Sequence, residues 1–192
     1  MKQATLLIVL FTVTLFSVAN PIENCTQKKF IDSSSIKKNT MQEMLLQVLN
    51  VVGVNGDIEL KEANVLNIEA KITHKKRYIL YNPSFIADLN NSAKDKWSVI
   101  TLLAHEVGHH LKGHTTHRGG SKPELELEAD EFAGFVLNKL GATVRQSQNV
   151  MYFIAKTEGS RTHPSRDSRL QAIEKGWNIA TDSNDISSIT KN

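Results

Sequence analysis

Cysteine is almost absent from this chain: Cys25 is the only one. A disulfide framework within one chain is therefore excluded, and Cys25 reads as a free thiol near the N-terminus. A surplus of one charge is missing too. Lys and Arg total 23 against 20 Asp and Glu, a formal net charge of +3. So small an excess argues against a nucleic-acid surface or a polybasic membrane patch. Long apolar runs are confined to Ala4–Ala19, which is short for a bilayer span. That stretch has the layout of a leader peptide. Lys2 supplies the positive start, Leu6 to Phe16 the apolar run, and Ser17-Val18-Ala19 the small residues before a cut after Ala19. The expectation is an exported protein, periplasmic or extracellular, with no transmembrane anchor once residues 1–19 are removed. No internal repeat and no second domain stand out. What remains is ordinary: 192 residues, 40% hydrophobic and 22% charged. That suffices for one domain with a core of its own.

The expected organisation is a loose polar lead-in over 20–39, a domain over 40–180 and a flexible tail over 181–192. Thr40 and Glu43 match a capping box, followed by Met41, Met44, Leu45, Val48, Leu49 and Val52 on one helical face, with Gly53 as the stop. Alternation at Ile58/Leu60 and at Leu66/Ile68/Ala70/Ile72 suggests strands. Arg77–Tyr81 is the strongest strand candidate, ended by Asn82-Pro83. A short helical turn is expected at Phe85–Leu89. Ser92 or Asp95 then opens a helix running to about Gly113. A second capping box, Ser121 to Glu124, starts another helix that ends at Gly141. Its inward face is Ala129, Phe132, Ala133, Val136, Leu137 and Leu140. A helix over Val144–Lys156 should turn Val150, Phe153 and Ile154 inward. The last helix carries Leu170, Ala172, Ile173 and Trp177 and closes near Gly176.

The helix after Asp95 contains His105-Glu106-Val107-Gly108-His109, an H-E-x-x-H motif. Val99, Ile100, Leu102, Leu103, Val107 and Leu111 give it a broad apolar stripe. Residues four apart share a helix face, so His105 and His109 can grip one metal ion between them. Glu106 sits beside the first histidine, within reach of a metal-activated water. Two imidazole ligands and a carboxylate base are the working parts of a zinc hydrolase.

A catalytic zinc site needs a third protein ligand. Glu126 and Asp130, four apart in the next helix, are the candidates. Glu126 would bind the metal, and Asp130 would accept a hydrogen bond from a ligand histidine and fix its tautomer. Glu128 is the rival ligand, although it points about 160° away from Glu126 around a helix. A longer H-E-x-x-H-x-x-G-x-x-H site fails, because the chain has Lys112 and Thr115 where glycine and histidine are needed. His110 is out of phase with the ligand pair. His114 and His117 read as surface groups or as groups behind the ligands.

His105–His109, then Glu126-Leu127-Glu128-Ala129-Asp130, then Ala133-Gly134 and His163-Pro164 through Arg169, resemble the gluzincins. The closest resemblance is to the family holding the HtpX, OMA-type and CAAX-prenyl endopeptidases. It spans about residues 80–177. It implies an α+β, mainly helical, zincin-like fold, with the H-E-x-x-H helix packed against the E-x-x-x-D helix and a small β-sheet. It also implies Glu126 as third ligand to a single Zn2+ and Asp130 behind His105. His163 would lie near the metal as an oxyanion donor, and Arg169 would pair with an acid near the site. Many relatives have spanning helices that this chain lacks, which counts against membrane substrates.

The chemistry expected is peptide-bond hydrolysis. Zinc on His105, His109 and Glu126 lowers the pKa of its water towards ~7. Glu106 takes the proton and passes it to the leaving amine. The substrate is an unfolded or extended polypeptide, and the strand at Arg77–Tyr81 offers it an edge. Two alternatives stand. One is a catalytically silent zincin-like binding or chaperone-like module. The other is a deformylase-like amidase, which needs a cysteine ligand that Cys25 is poorly placed to supply.

Overall fold

The apolar stripe expected on the H-E-x-x-H helix is in fact buried on nearly every side. This helix, α3 (Trp97–Leu111), buries each residue from Ser98 to Gly108 and also His110. A helix covered all round lies inside the domain, and the other elements are arranged about it. A computed structural model describes residues 33–116 and 122–189, with only backbone described at 33–39 and 183–189. The leader-like segment, Cys25, His117, Ser121 and the last three residues lie outside the described set.

In chain order the elements begin with α1 (Ser33–Val51), β1 (Ile58–Glu62), β2 (Ile68–Thr73), β3 (Lys76–Tyr81) and α2 (Pro83–Ala93). After α3 come a 3-10 turn (His114–Thr116), α4 (Pro123–Lys139), α5 (Val144–Gln148), α6 (Met151–Ile154) and α7 (Arg166–Ile189). All of them fall within one compact unit. The class is α+β, mainly helical, with a small sheet. Helices α1, α2, α4 and α5 and strands β2 and β3 all contact α3. The core joins Leu45 and Leu49 of α1, Ile79 of β3, Ile100, Leu103 and Val107 of α3, Leu137 of α4, and Met151 and Ile173.

The sheet runs β1-β3-β2. β1 pairs parallel with β3, and β2 antiparallel with it. Arg77–Tyr81 is therefore the middle strand and offers no free edge, contrary to the sequence expectation. Its buried Ile79 and Tyr81 suit an interior strand better than an edge. The outer strand next to α3 is β2. The β2–β3 hairpin turns at His74 and Lys75, with φ of 51° and 64°.

Several helix limits differ from the sequence reading. α1 starts at Ser33, so Thr40 lies inside the helix rather than at its N-terminus. α2 spans Pro83–Ala93 rather than one turn, because the Asn82 side chain accepts from the Ser84 and Phe85 N–H groups and Pro83 sits in the first turn. At the start of α3, Asp95 Oδ1 accepts from the Ser98 N–H at 2.8 Å. α4 begins at Pro123 with Lys122 at the N-cap and no side-chain cap bond. The helix expected over Val144–Lys156 is broken into α5 and α6. At the break, Asn149 Nδ2 donates to Asp95 Oδ2 at 2.7 Å, and Phe153 is exposed rather than inward.

Gly176 does not stop α7. A Cβ there would collide with the Glu131 carbonyl oxygen of α4, and one at Gly134 with the Ile173 carbonyl oxygen of α7. The two glycines let α4 and α7 touch backbone to backbone, which places Arg169 of α7 beside the acids of α4.

Candidate metal centre

Helical spacing sets His105 above His109 on one face of α3. Their ring centroids are 4.6 Å apart at 85°. Their Nε2 atoms approach to 3.0 Å. From α4, Glu126 Oε2 lies 3.5 Å from His105 Nε2, and Glu126 Oε1 lies 3.5 Å from His109 Nε2. One ligand atom from each residue falls within 4.8 Å of the others. His105 and Glu126 are buried and His109 nearly so.

Asp130 lies one turn beyond Glu126 and is wholly buried. Its Oδ1 is 2.8 Å from His105 Nδ1. Arg169 closes on it with a two-point ion pair, Nε to Oδ2 at 2.7 Å and Nη2 to Oδ1 at 2.8 Å. Arg169 Nη2 also lies 3.9 Å from Glu126 Oε2. Burial acts to push the His105 pKa down. The Asp130 charge and hydrogen bond outweigh it, and the value rises to about 10. His109 is driven the other way, to about 3, by burial and by the neighbouring His105 charge.

Glu106 is buried next to this cluster, and its Oε2 accepts the Ala70 N–H of β2 at 2.6 Å. Burial raises its pKa to about 7, against the opposing pull of His105 and of the Ala70 N–H. Ala70 thus directs its N–H out of the sheet, and the free edge of β2 faces the cluster.

The remaining histidines divide. His163 stands apart: it is exposed, and Thr162 Oγ1 is its ring's partner at 2.9 Å. No hydrogen bond or ion pair among the described residues joins it to His105, His109 or Glu126. His110, out of phase as expected, lies 2.9 Å through Nε2 from the Tyr78 carbonyl of β3. Burial pushes its pKa down. His114 is buried, not on the surface, with Nδ1 3.0 Å from His109 Nδ1. Its Nε2 is 3.3 Å from Glu128 Oε2, so Glu128 turns away from the cluster towards His114.

Two features escape a reading by helical period. His114 follows His109 by five residues, but Gly113, at φ +75°, ends the helix and folds the chain back. The Ala70 N–H belongs to the main chain and leaves no mark in the sequence.

The donor set of two imidazole nitrogens and one carboxylate fits a borderline cation such as zinc. The two Nε2 atoms, 3.0 Å apart, share a proton when the site holds no ion, and a bound cation would take that proton's place. The class so defined is a mainly helical α+β protein whose H-E-x-x-H and E-x-x-x-D motifs converge on a cluster that could hold a metal ion. Residues 120–176 match the family model described as Peptidase family M48, which supports a gluzincin-type metallopeptidase family for this chain. The matched span includes Glu126, Asp130, His163 and Arg169; the H-E-x-x-H motif lies before it. No curated protein and no solved structure matches the chain.

Proposed function

We propose that the chain is an exported, zinc-dependent endopeptidase with a zincin-like catalytic domain over residues 40–180. The convergence of His105, His109 and Glu126 within 4.8 Å, beside the Glu106 carboxylate, carries this reading. The family match supports zinc-dependent proteolysis in general.

His105, His109 and Glu126 would hold one ion. Zinc, when bound there, supplies Lewis-acid activation of water and of the scissile carbonyl. Glu106 accepts the proton of the attacking water and returns it to the leaving amine. Asp130 holds His105 with Nε2 free to ligate, and Arg169 neutralises Asp130 in the interior. Burial of Glu106 and Glu126 keeps bulk water from screening these charges. His163 is the proposed oxyanion donor, and from its exposed loop it must turn inward when substrate binds.

The substrate is proposed to be an unfolded or extended polypeptide. With β3 paired on both sides, the edge that could receive it is β2, whose Ala70 already points main-chain atoms at Glu106. Backbone pairing there gives affinity with little sequence preference. The export reading rests on residues 1–19. Among the described residues, no helix is long and apolar enough to cross a membrane.

The test is hydrolysis of casein or a quenched peptide by protein starting at residue 20, with and without a chelator. Cleavage that stops on chelation and returns with zinc supports the proposal. Bound zinc without cleavage favours a silent binding module.

A further inference from the structure

Each ligand histidine has a group behind it, and the two groups differ. His105 Nδ1 faces the buried, arginine-paired carboxylate of Asp130. His109 Nδ1 faces another imidazole, that of His114, with ring centroids 5.2 Å apart at 68°. His114 in turn meets Glu128, whose side chain is 51% exposed.

The proton positions follow from donor and acceptor chemistry. Ionised Glu128 only accepts, so His114 carries its proton on Nε2. A neutral His114 then presents a lone pair at Nδ1. Two Nδ1 atoms 3.0 Å apart need one proton between them, and in the singly protonated form of His114 it sits on His109. His109 is left with its lone pair on Nε2, the atom that faces His105 Nε2 and Glu126. The reverse assignment sets the His114 Nε2 lone pair against a carboxylate and blocks His109 Nε2 with a proton.

The geometry points to His114 and Glu128 as a positioning relay for the second metal ligand. Glu128 fixes the tautomer of His114, and His114 fixes the tautomer and ring plane of His109. This rests on His105, His109 and Glu126 being the zinc ligands. The relay is local in origin: Gly113 turns the chain at the end of α3, and the 3-10 turn His114–Thr116 seats the imidazole between α3 and Glu128 of α4. Its outer end reaches solvent, so it can be altered without opening the core.

The experiment is a zinc dissociation constant from chelator competition, on the full chain, for wild type, Glu128→Ala and Glu128→Gln. Circular dichroism verifies folding. Glu128→Ala should weaken zinc about tenfold, the lower end of effects seen when a group behind a ligand is removed. Glu128→Gln keeps an acceptor oxygen and should stay near wild type. A long-range 1H–15N spectrum of the zinc-loaded protein should show His114 protonated at Nε2 alone. Unchanged affinity in Glu128→Ala, or a proton on His114 Nδ1, overturns the relay. A wild type that binds no zinc defeats the ligand reading itself, an outcome distinct from loss of the relay alone.

Discussion

Glu106 and Glu126 are both buried carboxylates on neighbouring helices, yet their surroundings give them different tasks. Glu126 faces both imidazole Nε2 atoms, while Glu106 is turned towards β2 by the Ala70 N–H. Glu106→Gln should keep its zinc and lose about 10²–10⁴-fold in peptidase rate, the range for removing a general base. Full activity in that variant removes the assignment. Glu126→Ala should strip zinc far more than Glu128→Ala, because one removes a ligand and the other acts through two imidazoles. Equal losses by metal analysis would mean that the wrong carboxylate was chosen. Arg169→Met leaves the buried Asp130 with His105 but without its arginine, and should cost up to about 3–5 kcal/mol in a urea melt. A loss under about 1 kcal/mol would mean that the pair is solvated after all.

Among the elements, the contact of α4 with α7 decides where Asp130 and Arg169 meet. Gly134→Ala must push the Ile173 carbonyl away, at a cost of about 1–3 kcal/mol or more. Thermal unfolding measures it, and a neutral result would show that the helices are further apart than described. The same glycines explain where the sequence misleads. Gly176 looks like a stop signal, because local propensity cannot see the helix crossing it. Residues whose partners lie along one helix were legible: His105 and His109, or Glu126 and Asp130, follow from a four-residue spacing. The central position of β3 was not, since which strand pairs with which depends on non-local contacts. His114 was legible only as one of two options, a surface group or a group behind the ligands, because a turn at Gly113 rather than helical period brings it back to His109.

Taken whole, the molecule buries Thr101, His105, Glu106, His110, Glu126, Asp130 and Arg169 around a single helix. Such a polar interior is costly unless its members satisfy one another and a ligand. Zinc should therefore stabilise the fold. At a free concentration a hundred times its dissociation constant, the gain is about 2.7 kcal/mol, readable as a rise in melting temperature that a chelator reverses. An unchanged melting temperature would mean that the cluster binds no ion. The most direct measurement is an anomalous difference map at the zinc absorption edge from crystals of the purified protein. One peak is expected among His105 Nε2, His109 Nε2 and the Glu126 carboxylate, about 2.0–2.2 Å from each. No peak there, or one held by other residues, would contradict the metallopeptidase reading.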